Sequence, residues 1–465
     1  MVEPSVADIT QETRAPKLLP FTIAVSLLLW VITTTGGRDL FVKEVLGDAY
    51  DSQAEHLLHG DTGVDVDAIR SEAMIVDGKV QMYFGPFPAL LRIPLNFIYP
   101  AGRGMWSRFS GYCAGVTALF AFAGLVSTSL SSSSLSFRAR NWMGNACVAG
   151  FALGSPLLFL LGNLSIYSES IIWGLACSLA ALYFVCLART LQGSKLTACL
   201  LAFSFCAAGA LLSRVTFGLP LLLIGVLVAL DLPRQARLSS LTALLLPLGT
   251  GLAFHLALSY AKFHTFLGVS YEHYINPVHK AFAHKYGMLN VWRAPFNFAD
   301  YFGLRLPSLD SHAPFVIAGR RFFGDSPYSS LPFSETYLSV TWASGWLVLG
   351  ALAGVVFLCL PNRADWFNRG AALALLLQVF CILAYFALAQ RYTADLYPFL
   401  IFCFTLFLRT GGVALLRTRY AIVSLIVLSI ALNSLATASW LAADGNLPIE
   451  TRSFWNAVVG KAPPR

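Results

Sequence analysis

A series of long apolar runs, many of them about 18 residues or more, constrains this chain more than any other feature. A run of that length crosses the roughly 30 Å hydrocarbon core of a bilayer as an α-helix. The runs lie near residues 18–35, 105–128, 142–162, 170–188, 197–213, 217–231, 238–260, 342–360, 371–389, 396–409 and 420–441. They predict an all-α polytopic membrane protein of about 11 transmembrane helices, with residues 1–465 forming a single transmembrane domain.

Composition excludes the other broad classes of protein. Charged residues make up 12% of the 465 residues, about half of what a soluble domain carries. All nine cysteines lie inside the apolar runs, and none has the spacing of a metal site or of a disulfide framework.

Basic residues are concentrated in alternate short loops, which explains the net charge of +8 without a nucleic-acid partner. These residues are Arg138, Arg140, Arg189, Lys195, Arg234, Arg237, Arg363, Arg369, Arg409, Arg417 and Arg419. Lysine and arginine accumulate on the cytoplasmic side of membrane proteins. We therefore expect these loops and the N-terminus to be cytoplasmic.

The opposite side carries most of the polar sequence. It comprises a first outer loop at residues 38–103, a second large outer loop at 262–341, and the C-terminal tail at 442–465. Seven of the eight histidines also fall on this side. We expect any polar chemistry to take place on the non-cytoplasmic face.

The first outer loop begins with an acidic segment that has helical spacing. Asp48, Asp51 and Glu55 lie at i, i+3 and i+7, which places three carboxylates on one face of a helix near the membrane. His56 and His59 follow in the same segment. The alternative interpretation is a solvated polar face of an amphipathic interfacial helix.

The same loop then shows a strand–turn signal at residues 76–79 and a proline-rich segment at 83–94. Three prolines and a glycine predict an irregular backbone in the second segment. Irregular backbone at membrane depth is tolerated where it borders protein or a water-filled cavity. We therefore expect this segment to line a cavity into which Arg92 points, with snorkelling of Arg92 to the lipid headgroups as the alternative.

Three shorter outer segments also carry charge close to the membrane: Glu169 begins the fourth apolar run, Arg214 separates the fifth and sixth, and Arg391 and Asp395 lie between the ninth and tenth. Charges at this depth are costly and usually functional. A structural ion pair between Arg391 and Asp395 is the alternative.

The arrangement resembles the GT-C membrane glycosyltransferases, in particular the bacterial family 39 type, which includes protein mannosyltransferases and aminoarabinose transferases. The residues that carry the resemblance are Tyr50, Asp51, Gln53, Ala54, Leu58, His59, Gly60, Asp77, Gly78, Tyr83, Phe84, Gly85, Pro86, Pro88, Ala89, Leu90, Tyr167, Glu169, Gln390, Arg391, Tyr392, Asp395 and Pro398. In that family an Asp-Glu pair usually opens the first loop, whereas here Asp48 precedes Ala49.

The resemblance implies transfer of a sugar from a polyprenyl-phosphate donor to a lipid, glycan or protein acceptor, with inversion, at the outer face of a bacterial inner membrane. Asp51 is the first candidate for the base and Asp48 the second. Candidate donor-phosphate ligands are Arg391, Arg214, Arg92 and Tyr392, and candidate substrate-positioning residues are Glu72, Glu169, Gln53, His59 and Asp395. No cofactor is required by the resemblance, and the clustered acidic residues leave a divalent metal ion open.

Two other functions remain as alternatives. A transporter or lipid flippase places ionisable groups near the bilayer midplane on paired halves, whereas here they lie at the outer rim. An oligosaccharide ligase or polymerase also acts on the outer face, but an acidic first loop is not its hallmark. Walker A, GxSxG and HExxH motifs are absent from the sequence.

Overall fold

The computed structural model describes residues 15–232, 237–266, 269, 271–304, 306–310, 315–317, 335–361 and 364–462. Among the residues used above, Arg234, Arg363 and the side chain of Arg237 lie outside the described residues. The same holds for the N-terminal 14 residues, so the side on which the N-terminus lies stays a prediction.

The described chain is almost entirely helical. Its α-helices are α1 (Leu19–Thr33), α2 (Ala49–Leu58), α3 (Val66–Ile69), α4 (Phe87–Ile98), α5 (Ser107–Ser131), α6 (Phe137–Leu153), α7 (Pro156–Gly162), α8 (Ile166–Ala188), α9 (Gly193–Ser213), α10 (Val215–Asp231), α11 (Arg237–Phe263), α12 (Pro277–Tyr286), α13 (Ala294–Phe302), α14 (Val340–Ala343), α15 (Gly345–Cys359), α16 (Trp366–Ala384), α17 (Tyr397–Thr410), α18 (Gly412–Ala443) and α19 (Ile449–Val458). The strands are β1 (Met74–Val76), β2 (Lys79–Gln81), β3 (Ser308–Leu309) and β4 (Val316–Ile317). Short 3₁₀ helices lie at Arg70–Glu72, Pro100–Gly102, Tyr271–His273, Val291–Arg293 and Gln390–Leu396.

Seven helices in the described part are long and apolar enough to cross a membrane. α6 and α7 meet at a bend of 44° and provide an eighth crossing if they form one broken span. The shorter apolar helices α1, α10 and α15 coincide with three of the other predicted runs. The protein is therefore an all-α polytopic membrane protein, which confirms the predicted fold class.

The bundle core is built mainly from α5, α8 and α9 in its first half and from α15, α16 and α17 in its second half. α8 packs along α9 and α5, while α15 packs along α17, and α10 packs against α16. α8 is buried on most of its surface, whereas α11 is the most lipid-exposed of the long helices, with 22% of its apolar window buried. Exposed leucine side chains on α11, such as Leu245 and Leu246, are expected where a helix faces lipid.

The predicted strand–turn at residues 76–79 is confirmed. β1 and β2 pair antiparallel with Val76 opposite Lys79, and Asp77 and Gly78 form the turn with φ of 50° and 76°. Two consecutive positive φ angles define the tight hairpin turn that an Asp-Gly pair favours.

The predicted irregular backbone at 83–94 is present at residues 83–86 but is wrong from residue 87 onwards, because Phe87–Ile98 forms helix α4. Pro86 and Pro88 fall at the start of this helix, where a missing N–H costs little, and only Pro94 lies inside it. α4 packs against α2, α8 and α9, so it lies at the end of the bundle where the predicted outer segments meet.

Contacts between the predicted outer segments bring them together at one end of the bundle. The Ile166 N–H donates to the Val45 carbonyl, and Met74 forms a β-bridge with Tyr274 of the second outer loop. A second bridge joins Leu289 to Tyr385. The described parts of the two large loops and the segment that precedes α17 therefore lie together at one end of the bundle, which we call the outer end after its predicted orientation.

Candidate active site

The acidic segment of the first loop does form a helix, α2, and it places Asp51 in a buried ion-pair network. Arg92 Nε lies 3.4 Å from Asp51 Oδ2, and Arg92 Nη2 lies 2.8 Å from Glu169 Oε2. Arg92 and Glu169 are fully buried, and Asp51 is 7% exposed. The structure thus brings together residues of α2, α4 and α8 that are far apart in the sequence.

Asp51 is incompletely satisfied in this network. Burial raises the pKa of the Asp51 carboxyl, although the positive charge of Arg92 acts in the opposite direction. Neither Asp51 carboxylate oxygen makes a hydrogen bond of regular geometry, although Asn96 and the Gly104 N–H lie near enough to lower the pKa of this carboxyl. Both amide atoms of the buried Gln53 lack a hydrogen-bond partner among the described residues. Buried polar groups are normally hydrogen-bonded, so an unsatisfied cluster of this kind is typical of a place that receives a ligand or water.

The other polar residues of α2 point elsewhere. Asp48 caps the helix without a side-chain hydrogen bond and is only partly buried. Glu55 is exposed and lies 3.1 Å from Arg103. His59 is also exposed, and its Nδ1 contacts the Glu55 carbonyl. The carboxylates of Asp48, Asp51 and Glu55 therefore lie in different environments, and of these three only Asp51 belongs to the buried network.

A second polar cluster lies at the 3₁₀ helix before α17, where tyrosine rings support two cations. The Arg391 guanidinium carbon lies 4.5 Å from the Tyr167 ring centroid and 5.1 Å from that of Tyr392. Arg214 lies over Tyr392 at 5.0 Å. Cations placed over aromatic faces are stabilised by the ring quadrupole, so this arrangement keeps two positive charges side by side.

Carboxylates partner both cations, but in different ways. Arg391 Nη1 lies 2.7 Å from Oε1 of the half-exposed Glu335. Arg214 Nη1 lies 3.6 Å from the fully buried Asp395, which also accepts a hydrogen bond from Thr216 at 2.6 Å. Among the described residues, Arg391 and Asp395 do not form an ion pair, so the predicted pairing between them is wrong.

Glu72 forms a third polar cluster, where the first outer loop contacts the second. It is 7% exposed and accepts hydrogen bonds from the hydroxyls of Tyr83, at 2.8 Å, and Tyr274, at 2.5 Å. No described lysine or arginine forms an ion pair with it. The aromatic residues at 271–274 suit sugar or lipid-phosphate contacts, but nothing in the sequence predicts that Tyr274 contacts Glu72.

The first turn of α8 and the segment at residues 82–85 connect these clusters. Tyr167 contacts Arg391, while Glu169, two residues later, contacts Arg92. The Phe84 ring lies 5.4 Å from that of Tyr167, and the Met82 carbonyl accepts a hydrogen bond from the buried Lys262 at 3.2 Å. Three clusters thus share one scaffold at the outer end of the bundle.

Sequence reasoning missed a second buried ion pair next to the site. Arg108 Nε lies 2.7 Å from Glu44 Oε1, and the same guanidinium donates to Thr451 of α19 at 2.8 Å. Burial raises the pKa of Glu44 to about 7. An arginine two residues after a tryptophan at the start of an apolar run was the available signal, since a charge within a span requires a partner.

Within the described residues, no group of three or more histidine, cysteine, aspartate or glutamate side chains has the arrangement of a metal site.

Comparison with known proteins shows a likeness at the level of structure. No family model and no curated protein matches the sequence. Among solved structures, the chain is similar to ArnT from Cupriavidus metallidurans bound to undecaprenyl phosphate. The identity is 15%, the match covers 95% of this chain and 68% of that chain, and the TM-score is 0.48.

Proposed function

We propose that the protein is an integral membrane glycosyltransferase that moves a sugar from a polyprenyl-phosphate donor to an acceptor hydroxyl at the outer face of the membrane. The observation that carries the proposal is the Asp51 carboxylate, which is buried in the network with Arg92 and lies 3.4 Å from its guanidinium. The paired cations Arg391 and Arg214 at the same end of the bundle support it. The sequence resemblance to GT-C enzymes points to the same activity.

The proposed chemistry is a single displacement at the anomeric carbon. The acceptor oxygen forms a bond to that carbon while the bond to the phosphate oxygen breaks, so the configuration inverts. Asp51 takes the acceptor proton, and a raised pKa makes its carboxylate a stronger base than an exposed aspartate. The polyprenyl phosphate leaves as a stable anion and needs no acid.

The cations stabilise the leaving group. Arg391 and Arg214 face the negative charge that accumulates on the phosphate as the glycosidic bond breaks. Tyr392 lies between them and fixes their separation. Arg92 already serves two carboxylates, so we assign it to holding Asp51 and Glu169 in place rather than to binding the phosphate.

The test is a transfer assay with the purified protein in detergent, a panel of polyprenyl-phosphate sugars and extracted cell-envelope glycans and lipids as acceptors. Asp51→Asn keeps the size of the side chain but removes the base, so transfer should fall by about 10²–10⁴-fold while donor binding persists. Asp48→Asn is the matched control and should retain transfer. If Asp48→Asn alone abolished transfer, Asp48 would be the base.

The same preparation distinguishes the alternative function. Movement of a lipid or solute across proteoliposomes containing the parent protein, with no covalent sugar product from any donor in the panel, would replace the glycosyltransferase by a transporter.

A further inference from the structure

A closed path of aromatic rings, completed by one arginine, lies at the outer end of the bundle and begins on the first loop. The Tyr83 ring stacks on Phe84 with centroids 4.2 Å apart, and Phe84 meets Tyr167 at 5.4 Å. Arg391 continues the path from Tyr167 to Tyr392. This half of the circuit joins the first outer loop to the proposed phosphate site.

The other half returns through the second outer loop. Tyr392 meets Tyr385 at 5.4 Å, Tyr385 meets Phe386 at 4.7 Å, and Phe386 meets Tyr271 at 5.5 Å. Tyr271 then contacts Tyr274 at 5.1 Å, and Tyr274 closes the path on Tyr83 at 6.2 Å. We call this closed path the aromatic circuit.

The circuit is built from four separate parts of the chain, and much of it remains accessible. Its tyrosines at 83, 167, 271, 385 and 392 are each only partly buried, whereas its two phenylalanines and Tyr274 are buried. Partial burial leaves ring surface on which a ligand can stack. Largely aromatic walls with a few fixed polar groups are typical of small-molecule sites.

Glu72 supplies the fixed polar group. Both Tyr83 and Tyr274 donate to its Oε2 atom, and Tyr167 also interacts with it. An ionised carboxylate accepts about four hydrogen bonds, so Glu72 can accept further bonds from a ligand. Burial of a carboxylate without a described cation is costly unless polar hydrogens surround it.

We propose that the aromatic circuit is the binding site for the sugar ring of the donor, with Glu72 accepting hydrogen bonds from sugar hydroxyls. This rests on the proposed function, because the adjacent Arg391 would hold the phosphate to which that sugar is attached. The position of Arg391 within the circuit favours the donor sugar over the acceptor. The second outer loop, through Tyr271 and Tyr274, thereby becomes a determinant of sugar specificity.

The experiment compares two probes on one set of variants: a bare polyprenyl monophosphate, and the same lipid phosphate carrying a hexose or pentose. Glu72→Gln and Tyr271→Leu should each bind the sugar-linked lipid about ten-fold or more weakly and bind the bare lipid as the parent does. Arg391→Lys should weaken binding of both probes. Tyr260→Ala, which removes an exposed tyrosine outside the circuit, is the control and should change neither.

The outcomes separate this proposal from the one it rests on. If Glu72→Gln and Tyr271→Leu, both folded, left binding of the sugar-linked lipid unchanged or weakened both probes equally, the sugar site would be wrong while the phosphate site stood. If the parent bound neither probe, the proposed function itself would fail. A change in preference between donors that differ at one hydroxyl, seen only in Glu72→Gln, would place that hydroxyl on Glu72.

Discussion

At the scale of single residues, the decisive feature is that one guanidinium serves two buried carboxylates. Arg92 contacts Asp51 at 3.4 Å and Glu169 at 2.8 Å, so its shorter and stronger pairing is with Glu169. Arg92 stabilises the ionised form of Asp51 against the cost of burial, and neither Asp51 oxygen makes a hydrogen bond of regular geometry. A general base needs an ionised carboxylate and also an oxygen that can take the proton of the acceptor.

This arrangement predicts a shift in the pH dependence of transfer. Asp51 acts only when deprotonated, so kcat/KM should rise with pH through the pKa of its carboxyl, which lies above the ordinary value. Arg92 lowers that pKa, and its removal raises it. In Arg92→Gln the acidic limb of the pH–rate profile should therefore move to higher pH, as measured by kcat/KM across a pH series.

The control for this shift is Ser107→Ala, which removes only a 3.4 Å contact to Arg92 and leaves both carboxylates paired. Its acidic limb should match that of the parent. An unchanged limb in a folded Arg92→Gln protein would show that Asp51 is not the titrating base.

How much of the site could be predicted also differs by residue. The spacing of acidic residues placed Asp51 on a helix in the first outer loop, and α2 is present there. The spacing could not identify Arg92 as its partner, because that contact depends on how α4 crosses α2. The contact between Tyr274 and Glu72 could not be predicted for the same reason, because the two residues lie about 200 positions apart in the chain.

At the scale of elements, the close packing of α15 against α17 shows why the position of a helix in the sequence is easier to predict than the helix it packs against. Gly350 and Gly354 lie four residues apart on one face of α15, a small-residue pattern that lets membrane helices approach closely. A Cβ atom added at Gly354 would lie 1.9 Å from the Cys403 carbonyl oxygen of α17. Hydropathy predicts that α15 spans the membrane, whereas the choice of α17 as its packing partner depends on the positions of small residues such as Gly354.

The packing predicts that Gly354→Ala destabilises the protein. The added methyl group meets rigid backbone, so α15 and α17 must separate, and overpacking of this kind typically costs about 1–3 kcal/mol. Thermal unfolding in detergent, followed by size-exclusion chromatography after heating, should show a lower midpoint than the parent.

Gly345→Ala is the matched control, because the nearest atom to its added Cβ is a leucine side-chain carbon at an ordinary 3.7 Å. It should unfold close to the parent midpoint. Equal midpoints for Gly354→Ala and the parent would mean that the α15–α17 contact is looser than described.

At the scale of the whole molecule, the two ends of the bundle differ in whether their ion pairs are buried or exposed. The outer end holds buried acids and arginines in pairs, among them Asp51 with Arg92 and Arg108 with Glu44. At the opposite end Arg189 bridges Asp231 at 3.2 Å and Asp365 at 2.7 Å, on the partly exposed surface between α8, α10 and α16. The short connections and adjoining helix ends at this second end carry exposed basic residues, among them Arg138, Lys195 and Arg417.

This asymmetry leads to a prediction about orientation, because loops rich in arginine and lysine are retained in the cytoplasm. The end that carries Ser134 should be cytoplasmic, and the end that carries Lys285 should face outward. A membrane-impermeant maleimide applied to intact cells should label Lys285→Cys, whereas Ser134→Cys should be labelled only after permeabilisation. The parent is the control, since its exposed Cys359 lies at the predicted cytoplasmic end and should react only in permeabilised cells. The reverse pattern would put Asp51 and Arg391 on the cytoplasmic side, where the donor sugar would have to be offered from the inner leaflet.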